Sequence, residues 1–318
     1  MFHLLITIKD YQKRFPDAWN YLTGSGAVIT LCDRFSALSR EEKAAVLSGK
    51  EVLYVAAENW DADTLSLAPE VRMISRMGSG VDNIDLAYCR ANGITVTNSK
   101  GCNANAVAEM TLLLMLASLR GLIRLQDIAR RGSWSERYPG RELRGKTVGL
   151  MGFGLIAQRV AALLQPFGVQ IVAHDPWLNS DAAHALGVRS VDFSTLLQSS
   201  DLLSVHIPAT KETFRLFRDT AFQQMKDGAI FINCSRGAIV DEDALYNALA
   251  CGKLSAAASD VFTQEPPEPE NRLFRLPNFI GTPHEGGMTL ESAYDDSMTV
   301  AKDIAAFIRG EAPRFRVV

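Results

Sequence analysis

Short apolar runs alternate with polar, helix-compatible stretches over the first hundred residues. The runs at 4–8, 27–31, 52–56, 71–75 and 95–98 read as buried strands. Between them Ser39-Arg40-Glu41-Glu42 predicts a helix start, with Ser39 as N-cap and Glu42 closing a capping box. Residues 103–131 form one long helical pattern with Val107, Met110, Leu114, Ala117 and Leu119 on its apolar side, ending in Arg130-Arg131-Gly132. Residues 133–145 are polar and read as a loop or arm.

A second alternating series follows. Strands are predicted at 147–151, 170–173, 202–206, 229–233, 256–260 and 279–282, and helices at 155–167, 182–186, 193–199 and 242–250. Residues 264–271 carry three prolines and three glutamates and read as a loop, and 289–309 as a terminal helix. Two successive strand–helix series predict an α/β fold with two parallel-sheet domains.

At 318 residues the chain is long enough for two such domains. A net charge of −3 gives no electrostatic footprint for nucleic acid or an anionic membrane. Five cysteines with no Cys-x-x-Cys spacing argue against a disulfide framework or a zinc site, so reduced thiols in a cytoplasm are expected. The apolar N-terminal run is too short for a signal peptide.

The chemistry begins at residues 147–157, a strand that runs into Gly152-x-Gly154-x-x-Ala157 and then a helix opened by Leu155 and Ile156. Gly152 permits the tight turn, Gly154 lets backbone approach a pyrophosphate, and Ala157 lets helix pack on strand. The helix N-terminus adds free N–H groups and a positive dipole end. Asp175 follows Ala157 by 18 residues, at the end of the next strand. A carboxylate there accepts from both adenosine ribose hydroxyls and repels the extra phosphate of NADP, so NAD is the expected cofactor. An isolated glycine pattern would be weak; the strand, helix and acid in register make it specific.

Three later segments hold unusual side chains. Arg236 leaves a buried strand beside Gly237 and can aim a planar fork at a carboxylate, although a lone arginine is by default a surface ion pair. Glu265 precedes two prolines that stiffen its loop. His284 follows a strand and precedes Gly286-Gly287, and histidine is the usual proton-transfer residue near neutral pH. His206, ahead of Pro208, is the rival histidine and is assigned to the wall of the cofactor cleft.

These segments, with Arg76-Met77-Gly78-Ser79-Gly80-Val81-Asp82-Asn83-Ile84-Asp85 and Ala106-Val107-Ala108-Glu109, run in the order of a known family. The chain resembles the D-isomer-specific 2-hydroxyacid dehydrogenases, and among them the catalytic core of phosphoglycerate dehydrogenases. The resemblance covers nearly the whole sequence. It implies a discontinuous, flavodoxin-like substrate domain, residues 1–100 and 287–318, with an NAD-binding Rossmann domain, residues 101–286, inserted between its parts and the active site in the cleft.

The resemblance also implies roles. Arg236 binds the substrate carboxylate and carbonyl, Glu265 partners the histidine, and His284 is the acid/base. Cofactor contacts fall at Gly152, Gly154, Leu155, Ile156, Asp175, His206, Pro208, Cys234, Ser235, Asp260, His284 and Gly286. Substrate contacts fall at Ser79, Gly80, Val81, Arg236 and His284, with Arg76 and Arg90 matching phosphate-contacting positions. Small residues at 79–81 free consecutive amides for an anion nest. No metal is implied. A homodimer is expected through the 107–119 helix and the 134–140 arm.

Two features depart from the family pattern: Leu155 stands where arginine is common, and Glu285 where an aliphatic residue is usual beside the histidine. The expected reaction is NAD-dependent interconversion of a small D-2-hydroxyacid and its 2-keto acid. The alternative is an NAD(H)-sensing binding protein of corepressor type without turnover. A formate dehydrogenase ranks below both, because an amide would be expected in place of Glu265.

Overall fold

The computed structural model describes residues 1–318. The chain divides into two compact units, one of Met1–Asn103 with Met288–Val318 and one of Ala104–Gly287.

The first unit holds five parallel strands: β1 (His3–Ile6), β2 (Val28–Leu31), β3 (Val52–Val55), β4 (Met73–Arg76) and β5 (Thr95–Asn98). Their order is β2-β1-β3-β4-β5, the flavodoxin-like order. Alternate residues serve opposite faces, as the period of two requires. Leu5, Leu53, Val55, Ile74 and Val96 enter one core with Trp60 and Leu65. Leu4, Ile6, Val52, Tyr54 and Met73 enter another, closed by Val300, Ala301 and Ile304 of the terminal helix Leu290–Ile308. The helix Arg40–Leu47 starts at the predicted capping box: the Ser39 side chain accepts from Glu42 N, and Glu42 accepts from Ser39 N.

The second unit holds β6 (Thr147–Met151), β7 (Gln170–His174), β8 (Val188–Ser190), β9 (Leu202–Val205), β10 (Ala229–Asn233), β11 (Leu254–Ser259) and β12 (Phe279–Gly281). All pair in parallel, in the order β12-β11-β10-β9-β6-β7-β8. Between β6 and β9 the strand order reverses, and ligands of such sheets bind outside the carboxyl ends at that point.

Three expectations need correction. The single helix over 103–131 is two, Ala104–Arg120 and Leu122–Arg130, bent by 59°. Gly121 adopts φ 60 between them, a left-handed turn that ends the first helix. The helix over 155–167 is α-helical only to Leu164 and closes with a 3-10 turn. Strand β8 lacks an apolar run, since only Val188 of its three residues is buried, and the pattern missed it.

Candidate active site

In the second unit the glycine turn joins β6 to the helix Leu155–Leu164. Gly152 has φ 91, and a Cβ there would lie 2.6 Å from His206 O, so only glycine fits. Gly154 is the N-cap, no side chain caps the helix, and the space where its Cβ would project is empty to 4 Å. This is an open cradle in front of orphan N–H groups, which suits a dinucleotide pyrophosphate. Exposed Leu155 and partly buried Ile156 form the first turn, and Ala157 is fully buried beneath it.

Asp175 stands just past β7. One carboxylate oxygen accepts from Phe153 N and the other from Trp177 N, both at 2.8 Å. The acid thus ties the glycine turn to the β7 loop. A carboxylate has about four lone-pair sites, so each oxygen can still accept from a ribose hydroxyl.

His206 follows β9, its Nε2 2.9 Å from Ser204 Oγ. Burial pushes its imidazole down to about 4. The ring is therefore neutral at physiological pH, which suits a wall better than a proton shuttle. Exposed Pro208 continues this segment, its carbonyl accepting from Thr213 Oγ1.

Beyond β10, Asn233 organises the turn that presents Arg236. Its side-chain oxygen accepts from Ser235 N and Oγ, and its amide donates to Arg236 O. Arg236 Nη1 donates to Ser235 O at 2.7 Å. A Cβ on Gly237 would overlap the Phe262 carbonyl, so this glycine seats the arginine turn against the loop carrying Glu265. Cys234 is buried there, and burial pushes its thiol up to about 12, which removes it as a nucleophile.

His284 and Glu265 meet directly, Nδ1 to Oε2 at 2.7 Å. The other glutamate oxygen accepts from Phe262 N at 2.9 Å, which fixes the carboxylate. His284 itself has φ 58, rare for a residue with a side chain. Its N–H donates to Asp260 O and Thr282 O and holds the strained turn. The ring is half exposed, with Nδ1 taken by Glu265.

Asp260 is only 2% exposed and organises this turn. One oxygen accepts from Thr282 Oγ1 at 2.5 Å and Glu285 N at 3.0 Å, the other from Gly286 N at 2.7 Å. One lone-pair site remains on that second oxygen, enough for one amide donor. The Glu285 side chain is exposed.

In the first unit, the loop after β4 carries Ser79, Gly80 and Val81. Gly78 N donates to Ser99 Oγ at 2.7 Å, Asn98 Nδ2 to Ser79 O at 2.6 Å, and Ser79 Oγ to Asn103 Oδ1 at 2.9 Å. The backbone N–H groups of Ser79, Gly80 and Val81 meet no protein acceptor, as an anion nest requires. Arg76 Nε donates to Ala56 O at 3.3 Å, and its guanidinium lies against Gly78. Arg90 ends the helix Leu86–Ala91 in the same unit.

Residues 112–286 match the model of the family described as "D-isomer specific 2-hydroxyacid dehydrogenase, NAD binding domain". The chain belongs to the D-2-hydroxyacid dehydrogenase family. It is 40% identical over 296 residues to a D-3-phosphoglycerate dehydrogenase of Archaeoglobus fulgidus, covering 92% of this chain and 56% of that one. It is 39% identical over 259 residues to a hydroxypyruvate reductase of Thermotoga maritima, covering 80% and 84%. The fold matches a D-lactate dehydrogenase from Aquifex aeolicus, solved with NAD and lactic acid, at TM-score 0.87 and 29% identity over 97% and 96% of the two chains. The chain therefore spans about half the length of the archaeal phosphoglycerate dehydrogenase.

Within this family fold, sequence reasoning missed three supporting residues. Asn233 shapes the arginine turn. Glu242 accepts from Thr263 N and Asn271 Nδ2 and straps the Glu265 loop. Ser99 holds Gly78. The Asn-Cys-Ser-Arg-Gly run signals the first, since asparagine commonly bonds backbone two residues on. Glu242 and Ser99 carry no local signal, because their partners are distant in sequence.

Proposed function

We propose that the protein is an NAD-dependent oxidoreductase that interconverts a small D-2-hydroxyacid and its 2-keto acid. The observation that carries this reading is the His284–Glu265 pair at 2.7 Å, on a strained turn held by Asp260. NAD supplies hydride exchange with the substrate's C2. The helix N-terminus after Gly154 and the Asp175 carboxylate hold the dinucleotide.

The remaining steps belong to the chain's own side chains. Arg236 binds the substrate carboxylate and polarises the carbonyl, and the open Ser79–Val81 amides of the first unit are an anion nest suited to a carboxylate. In reduction, His284 passes its ring proton to the carbonyl oxygen as C2 gains hydride; in oxidation it takes the hydroxyl proton. Glu265 holds the ring through Nδ1, which fixes its orientation and leaves Nε2 for the substrate oxygen. Arg236, Glu265 and His284 are all present, which favours turnover over a purely NAD-sensing role.

The test is NADH consumption with a panel including glyoxylate, hydroxypyruvate and 3-phosphohydroxypyruvate. Turnover of at least one that vanishes in His284→Ala supports the reading, and no turnover with any of them removes it. A cytoplasmic homodimer is part of the same proposal. Leu113, Leu122, Ile123 and Trp134 are exposed apolar residues for its contact, and a monomer in light scattering at micromolar concentration would contradict it.

A further inference from the structure

Strand β5 stands at the edge of the first unit's sheet, and the residues at its end hold the loop after β4. Asn98 Nδ2 donates to Ser79 O at 2.6 Å, and Ser99 N donates to Gly78 O at 3.3 Å. The loop answers with Gly78 N, which donates to Ser99 Oγ at 2.7 Å. Asn98 and Ser99 are both buried, so water does not stand in for a bond that is lost.

Each of the two carbonyls belongs to a trans peptide, whose N–H points the opposite way. The Gly78 oxygen shares its peptide with Ser79 N, and the Ser79 oxygen shares its peptide with Gly80 N. Drawing both oxygens toward β5 therefore turns both N–H groups away from it, and neither meets a protein acceptor. Gly78 takes φ 112 in this turn, a conformation open to glycine and closed to most other residues.

The outer side of β5 is covered as well. The segment Arg314–Val318 runs antiparallel to it, with Asn98 N donating to Phe315 O at 3.2 Å and Val317 N to Val96 O at 2.7 Å. Asp303, buried on the terminal helix, latches this segment. One of its oxygens accepts from Arg314 N at 2.9 Å and the other from Phe315 N at 3.1 Å. Asp303, Phe315 and Asn98 thus join the terminal helix to the Ser79 carbonyl through consecutive hydrogen bonds.

We propose that Asn98 is a positioning residue for the substrate's carboxylate: by fixing the Ser79 carbonyl it aims the Gly80 N–H at the anion, and the segment latched by Asp303 keeps Asn98 in place. This rests on the reading of the Ser79–Val81 loop as a carboxylate site. An unheld Ser79–Gly80 peptide rotates about the single bonds on either side of it, and an anion has to stop that rotation in order to bind. Holding the peptide beforehand removes this cost. Asn98 moves no proton, so its effect falls on binding and not on the chemical step.

The test is calorimetric titration of oxalate into the protein saturated with NADH, together with KM and kcat for the best 2-keto acid. Asn98→Ala removes the donor to the Ser79 oxygen. The oxalate dissociation constant and KM should both rise about tenfold, the worth of one hydrogen bond, with kcat within about twofold and NADH affinity unchanged. Asp303→Ala frees Arg314 N and Phe315 N but leaves Asn98 present, so the same two constants should rise about threefold.

Unchanged oxalate affinity in Asn98→Ala, even with a lower melting temperature, would overturn the proposal, because a merely structural residue behaves that way. So would a fall in kcat at fixed KM. If Asn98→Ala does not fold, Asp303→Ala decides by the same two constants. If oxalate does not bind the unmutated protein, the carboxylate-site reading fails and this proposal falls with it. If oxalate binds but no keto acid is turned over, the reaction reading alone fails, and the oxalate comparison still decides between a clamp and a bystander.

Discussion

Asp260 and Asp296 are both nearly shut away from water, at 2% and 7% exposed, yet their surroundings differ. Asp260, in the second unit, receives three donors from the turn that carries His284. Asp296, in the first unit, keeps one oxygen without a partner, and its carboxyl is pushed up to about 6. A carboxylate supplied with donors can serve as a rigid strut. One that lacks them becomes a titrating group. The second unit uses its buried acid to fix a strained histidine, and the first leaves its acid free to respond to pH.

The largest effect should follow from removing the strut. Asp260→Ala leaves two N–H groups and a hydroxyl without their acceptor, a loss of about 3–5 kcal/mol when a buried charged partner is deleted. Urea unfolding should show that loss, and turnover should fall about 10³-fold as the His284 turn relaxes. Unchanged stability would mean that this carboxylate does not hold the turn.

Asp296→Asn should do the opposite, and only above a certain pH. The folded state holds the Asp296 proton up to about 6, whereas the unfolded chain releases it near 3.8. The native state therefore binds more protons between these values, and stability falls as pH rises through that window. The penalty reaches about 3 kcal/mol above pH 6, from 1.36 kcal/mol per pH unit. The asparagine variant lacks it, so its advantage in denaturant unfolding should grow from pH 4 to 6 and then level off. A constant difference across that range would contradict the assignment.

Gly152→Ala probes a backbone made to measure in the second unit. The positive φ and the approach to His206 O should cost about 1–3 kcal/mol and weaken NADH binding in fluorescence titration. Smallest is Asp175→Ala, which should lower the preference for NAD over NADP about tenfold, the worth of roughly one charged hydrogen bond. Comparable efficiency of the unmutated protein with NADP would remove this assignment.

The same contrast separates what the sequence made legible from what it did not. Strands β5, β6 and β10 match the expected bounds to the residue, and β6 is the clearest, a compact apolar run between Lys146 and Gly152. The glycine turn, Asp175, Arg236, Glu265 and His284 stood out because their chemistry is local to a strand end. Edge strand β8 and the break at Gly121 did not. One lacks apolar residues, and the other interrupts a periodicity that continues on both sides. Asp260 was legible as a residue but not as the hub of the 282–286 turn, since that role depends on closure across 22 or more residues. Asp296 sits in Tyr294-Asp295-Asp296-Ser297, which reads as a solvated helix face. Its burial comes from packing of the terminal helix on the sheet, which no local pattern reveals.

The central claim is that the ring held by Glu265 moves the proton. The direct measurement is turnover of His284→Ala at saturating NADH and keto acid, alongside its NADH dissociation constant. The half-exposed ring contributes little to the core, so folding and cofactor binding should stay near the unmutated values while kcat falls about 10³-fold. Near-full turnover in that variant would contradict the account.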